Sequence, residues 1–104
     1  MKKLVFMLVT LAMVLLLGLS AHAADAKAGK EVYAKERCSM CHSINGVGGK
    51  LAKLDGVGSK LTAEQMKKWI KTPKQMNPKA MMKPYPNLSE KQLDDLVAYL
   101  QTLK

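Results

Sequence analysis

Both cysteines of the chain and one of its two histidines fall within five residues, Cys38-Ser39-Met40-Cys41-His42. On a helical turn, positions i, i+3 and i+4 point to one side, so two thiols and an imidazole approach a single object together. A structural zinc ion needs four protein ligands, and from Ala24 onward these three are the whole Cys and His stock. A thioredoxin-type redox pair expects a βαβ setting, for which no strand pattern is present. A disulfide between cysteines three apart closes too small a loop to restrain a fold. Cys-x-x-Cys-His is the attachment sequence of a c-type haem: the thiols add across two vinyl groups of the macrocycle, and the adjacent imidazole ligates iron. The motif therefore predicts one haem c, attached through Cys38 and Cys41, with His42 as a metal ligand.

Iron has a sixth position. His22 lies in a predicted leader, so methionine, lysine or an open site remains. Met40 stands between the cysteines, badly placed to reach the opposite face. Met66 shares a helical face with Trp69 and Ile70, a spacing that more often marks a core position than a ligand. Met76, Met81 and Met82 lie in a proline-broken stretch that can present a thioether to the far side of a ring, and all three stay open on spacing alone.

The elements that must position these residues are helices. Asp25 can cap a helix running to about Arg37, with Ala28, Gly29, Val32 and Tyr33 facing inward and its end leading into the cysteine motif. Thr62-Ala63-Glu64-Gln65 is a capping box with a Leu61–Met66 staple, and its helix stops before Pro73. Ser89-Glu90-Lys91-Gln92 repeats the box with a Leu88–Leu93 staple, and Leu93, Leu96, Val97, Leu100 and Leu103 form an apolar stripe towards the C-terminus. Strand alternation is nearly absent. Between the helices, Ser43 to Lys60 carries five glycines and Thr72 to Asn87 four prolines. Such connections are irregular, and loops this long in a small domain usually have a function or wrap around something.

Residues 1–23 differ from the rest. Lys2 and Lys3, the 16-residue apolar run Leu4 to Leu19 and the small-x-small Ala21-His22-Ala23 describe a secretory signal peptide cleaved after Ala23. The rival reading is an uncleaved anchor, for which the run is shorter than the roughly 18–20 residues that span hydrocarbon. Both readings place residues 24–104 outside the cytoplasm, in a bacterium the periplasm, with no stable membrane insertion after cleavage. Those 81 residues make one domain near the lower size limit for a self-sufficient core.

The whole chain carries +9. Without Lys2 and Lys3, fifteen cations face eight acids, leaving +7. One Arg, one Trp and three Tyr argue against a nucleic-acid binder, which would want more arginine and stacking surface. A dispersed lysine field instead suits steering towards acidic protein surfaces, or simple solubility.

Three stretches carry a resemblance across nearly all of residues 24–104: AGKEVYAKERCSMCHSINGVGG, TAEQMKKWIKTP and MKPYPNLSEKQLDDLVAYLQTLK. In them the chain resembles the small bacterial class I cytochromes c. The resemblance implies an all-α cytochrome c fold, with three main helices wrapped around one haem and long Gly-rich and Pro-rich loops. In that family the ligand methionine precedes a proline and an aromatic, and Met82-Lys83-Pro84-Tyr85 is similar with one residue inserted. It therefore ranks Met82 ahead of Met81 and Met76 as the second metal ligand. It further implies that the first and last helices cross, Gly29 or Tyr33 lying against Tyr99 and Leu96. Where the family usually has a proline near the carbonyl that orients the ligand imidazole, this chain has Ala52. Trp69 is left between a haem propionate and a plain core role.

The implied function is a soluble, monomeric periplasmic one-electron carrier and not an enzyme, docking transiently on acidic-surfaced redox proteins as donor and acceptor. Two alternatives stand beside it. One is a gas-binding or peroxidatic haem protein with a labile sixth ligand. The other is a dedicated electron-transfer subunit of a periplasmic dehydrogenase.

Overall fold

The computed structural model describes residues 23–104. The predicted leader, apart from Ala23, lies outside the described residues. The elements run α1 (Ala26–Lys35), a 3-10 turn (Cys38–Met40), β1 (His42–Ile44), β2 (Val47–Gly48), β3 (Ala52–Lys53), α2 (Val57–Lys60), α3 (Ala63–Lys71), α4 (Pro73–Met76) and α5 (Glu90–Gln101).

Local caps start the helices. Asp25 accepts the Lys27 and Ala28 amides at the head of α1. Thr62 with Gln65, and Ser89 with Gln92, close reciprocal capping boxes on α3 and α5. Pro73 ends α3 by denying it another backbone donor. It then occupies the first turn of α4, where that donor is not needed.

Helices α1 and α5 form the centre of the fold. At the crossing, a Cβ on Gly29 would run into the Asp95 carbonyl oxygen and lie 2.9 Å from Tyr99 Cβ, so only glycine admits this approach. One step along, the Tyr33 and Tyr99 rings stand 5.6 Å apart, tilted by 60°. Both contacts are those the resemblance implied. Val32, Tyr33, Leu93, Leu96, Val97 and Leu100 are buried there, and Met66 and Ile70 of α3 complete the core. Burial of each such side chain is worth about 1.5–3 kcal/mol. Met66 is thus a core residue, whereas Trp69 is half-buried and does not join the core cluster.

The fold is the expected helical one with a small sheet added, ordered β2-β1-β3. Strand β1 pairs antiparallel with β2 (Ile44 opposite Val47) and parallel with β3 (His42 opposite Ala52). Alternation could not reveal strands of two or three residues. Their source is turn chemistry: Asn45 (φ 52°) and Gly46 (φ 79°) are both left-handed, as a two-residue hairpin loop demands. Single helical turns α2 and α4 likewise interrupt the segments read as irregular. Helix α5 ends at Gln101, and the chain beyond it is held by Gly58 N–H donating to the Leu103 carbonyl at 2.8 Å.

Candidate functional site

The cysteine motif begins where α1 is forced to stop. Arg37 adopts a left-handed conformation (φ 57°) that breaks the α-helix, and the chain re-winds as a 3-10 turn, Met40 N–H donating to Arg37 O and Cys41 N–H to Cys38 O. The motif is therefore not one continuous α-helical turn: Cys38 opens the 3-10 turn, Cys41 follows it, and His42 opens strand β1. Both thiols are free, Cys38 half-buried and Cys41 exposed. Burial, and next the Glu36 carboxylate, push the Cys38 thiol up from its ordinary value, which keeps it protonated.

The Gly-rich segment folds back on this turn. Gly49 N–H donates to Ser39 O at 2.8 Å, and Leu51 N–H to Cys41 O at 3.0 Å. A side chain at Gly48 would strike the His42 carbonyl, and one at Gly49 the Met40 carbonyl. Glycine is what lets the backbone lie flat against the motif, and the segment then delivers Ala52 to His42. The Ala52 carbonyl oxygen is 3.2 Å from His42 Nδ1. With the proton on Nδ1 this is a hydrogen bond that fixes the ring and leaves the Nε2 lone pair as a ligand.

The methionines separate by burial. Met81 is 87% exposed and Met40 70%, Met66 is 2% exposed within the core, and Met82 is half-buried and packed on the core margin. Met76 closes α4, half-buried. The Pro-rich segment carrying Met81 and Met82 is tied to α3 by Tyr85 N–H donating to Ile70 O at 2.9 Å. Lys83 Nζ stands 5.2 Å from the Tyr85 ring centroid, within cation–π range.

Cys38 and Met82 share the core margin with Ile44, Leu54, Leu61 and Tyr85, all half-buried. Sequence reasoning singled out Tyr85 only through the resemblance, and did not single out Ile44 and Leu54 as core-margin residues. Their signal was weak: single apolar residues inside Gly-rich or Pro-rich stretches. Tyr33 has a hydroxyl buried without a partner among the described residues, and its pKa is pushed up to about 12 by burial first and then by Cys38 and Tyr99.

Among the described residues no three His, Cys, Asp or Glu side chains gather to hold a metal ion. The donor set does fit a covalently held haem. It offers two free thiols on one turn, an imidazole clamped through Nδ1, and a half-buried thioether on the same core margin.

These features define a small helical protein of the covalent-haem type. A sequence model of the cytochrome c family matches residues 26–104, and the chain belongs to that family, whose members imply haem-based electron transfer. The chain is also similar to cytochrome c oxidase subunit 2 of Alkalihalophilus pseudofirmus, 28% identical over 89 residues. That match covers 76% of this chain and 26% of the relative, so the chain spans about a quarter of that protein's length.

Proposed function

We propose that the protein is a soluble periplasmic one-electron carrier, in which Cys38 and Cys41 would hold a haem covalently and His42 and Met82 would ligate its iron. Once bound, that group supplies a one-electron change between Fe(III) and Fe(II). The observation that carries the reading is the His42 Nδ1 contact with the Ala52 carbonyl. With the proton on Nδ1, that contact leaves the other ring nitrogen available as a ligand and favours one orientation of the imidazole. Met82, packed on the core margin while Met81 points to solvent, supports the choice of second ligand. Two protein ligands leave no position for a substrate, which favours transfer over catalysis. Exposed lysines, among them Lys50, Lys53, Lys79 and Lys83, suit brief, salt-sensitive docking on acidic donor and acceptor surfaces.

The similarity to part of an oxidase subunit supports a second reading, a module dedicated to one respiratory enzyme. Co-purification at high salt separates the two, because a transient carrier comes away free.

Visible spectra of the mature protein, oxidised and reduced, with and without carbon monoxide, test the axial assignment. A weak far-red band in the oxidised form and a reduced spectrum indifferent to carbon monoxide are expected. Loss of the band with ready carbon monoxide binding would overturn the carrier in favour of a gas-binding or peroxidatic protein.

A further inference from the structure

The chain has three asparagines, and they differ in the neighbour on their C-terminal side: Gly46 after Asn45, Pro78 after Asn77 and Leu88 after Asn87. Asn45 and Gly46 are both exposed and form the two-residue loop between β1 and β2. Nothing lies within 4 Å of the place a Gly46 side chain would take. Among the described residues the Asn45 side-chain amide makes no hydrogen bond, whereas Asn77 Oδ1 accepts the Lys79 amide at 2.9 Å. The Gly46 N–H likewise donates to none of the described groups. A free carboxamide therefore sits one residue before an unhindered, unengaged backbone nitrogen.

We propose that Asn45 is a site of spontaneous deamidation, with the Gly46 nitrogen as nucleophile. The Gly46 N bonds to Asn45 Cγ, the Cγ–Nδ2 bond breaks, and ammonia leaves carrying the proton that nitrogen gives up. Water then opens the cyclic imide at either carbonyl. One opening gives aspartate and the other isoaspartate, in which the chain runs through the former side chain. No oxidant or further reactant is consumed.

The fold makes the change consequential. Both Asp55 carboxylate oxygens accept the Asn45 N–H, at 3.1 and 3.3 Å. A new carboxylate at position 45 faces that acid as a like charge. Isoaspartate also adds a backbone atom to a loop whose length sets the β1–β2 register. Either product loosens the hairpin that continues directly from His42.

Aging the purified holoprotein in warm, mildly alkaline buffer and mapping its peptides by mass spectrometry tests the site. Asn45 should convert at least about tenfold faster than Asn87, because glycine leaves its nitrogen unhindered and its backbone free to close the ring. Asn77 should stay intact, since Pro78 has no N–H to attack with. Conversion at Asn45 no faster than at Asn87 overturns the proposal. Hydrogen exchange at Ile44 and Val47 reads the consequence. Protection should fall in the aged protein and hold in an equally aged Asn45→Gln variant, whose longer side chain closes the ring poorly. Full conversion without loss of protection would overturn the loosening.

Discussion

Where α1 crosses α5, Leu93, Leu96 and Val97 are 2–3% exposed, and a glycine lets the two backbones touch. On the ligand-bearing side the chain behaves differently. Met40 is 70% exposed, Cys41 is exposed, and Cys38, His42 and Met82 are half-buried, on a 3-10 turn, a short strand and a Pro-rich segment respectively. The helical crossing is fixed by apolar side chains meeting one another, so its geometry follows from helical periodicity. The motif side is fixed by backbone devices: left-handed Arg37 and Asn45, glycines that allow close approach, and prolines that end helices. Side chains there are delivered to the core margin or to solvent rather than buried in the core interior.

The largest test removes the delivered groups. Replacing Cys38 and Cys41 together by Ala should abolish covalent haem attachment while the α1–α5 crossing residues stay untouched, read by mass after denaturation. Persistent attachment would break the assignment of both thiols. Next in size is the methionine pair. Met82→Ala should lose the far-red band with haem still attached, and Met81→Ala should keep it. The opposite pattern would transfer the ligand to the exposed residue, and burial would no longer distinguish the ligand from its neighbour.

A third prediction moves to the crossing. Gly29→Ala places a methyl group against the Asp95 carbonyl and Tyr99 Cβ, both on α5. Overpacking of this kind costs about 1–3 kcal/mol, more than the helix propensity gained over glycine, about 1 kcal/mol. Chemical denaturation should show the loss. An unchanged midpoint would mean that the two helices are less closely fitted than the geometry states.

The same division governs what could be read from the sequence. Capping boxes at Thr62 and Ser89 are local rules, so the starts of α3 and α5 were legible to the residue. The Cys38-to-His42 motif pointed to a covalent haem, which the family match also implies, because three rare residues at fixed spacing allow few alternatives. The sheet was not: its strands are too short for a period, and its parallel pairing joins residues ten apart through a loop. Ala52 would have been invisible without the resemblance, because a carbonyl leaves no mark in a sequence. Trp69 was left between two roles by its sequence, and in the folded chain it is half-buried outside the core cluster. Asp95 was hidden too, because a charged residue in a helix normally reads as solvent-facing. In the folded chain it is 4% exposed, and its carboxylate accepts the Asp25 N–H at 2.9 Å and Lys91 Nζ at 2.7 Å.

Asp95 gives the fourth prediction, a pH dependence. Its hydrogen bond from Lys91, then that from Asp25 N–H, holds the carboxyl below the usual carboxylate range. A depressed folded pKa stabilises above the ordinary aspartate value, and that stability is lost as pH falls through the folded one. Lys91 is raised by the same bond, so its share is present below the ordinary lysine value and lost as pH rises through the folded one. The pair is therefore fully effective in the neutral range. Asp95→Asn should lower thermal stability at neutral pH and flatten its decline in acid. A variant with the wild-type acid slope would show that other carboxylates govern it.

The smallest effect compares two helices that start alike and are held differently. Thr62→Ala and Ser89→Ala each remove the side-chain acceptor of one backbone N–H, that of Gln65 or Gln92, a loss of about 0.5–2 kcal/mol by the usual cost of a cap. Helix α5 buries five residues, α3 only Met66 and Ile70. With more packing to hold its first turn in place, α5 should lose its cap within a single cooperative unfolding transition. Helix α3 also holds Tyr85 through the Ile70 carbonyl, and with it the segment that carries Met82. Thr62→Ala should therefore raise hydrogen exchange at the Tyr85 amide more than Ser89→Ala does at equal loss of global stability. Equal exchange in the two variants would mean that the methionine segment is positioned independently of α3, and the boundary between packed and delivered residues would then lie at Ile70 itself.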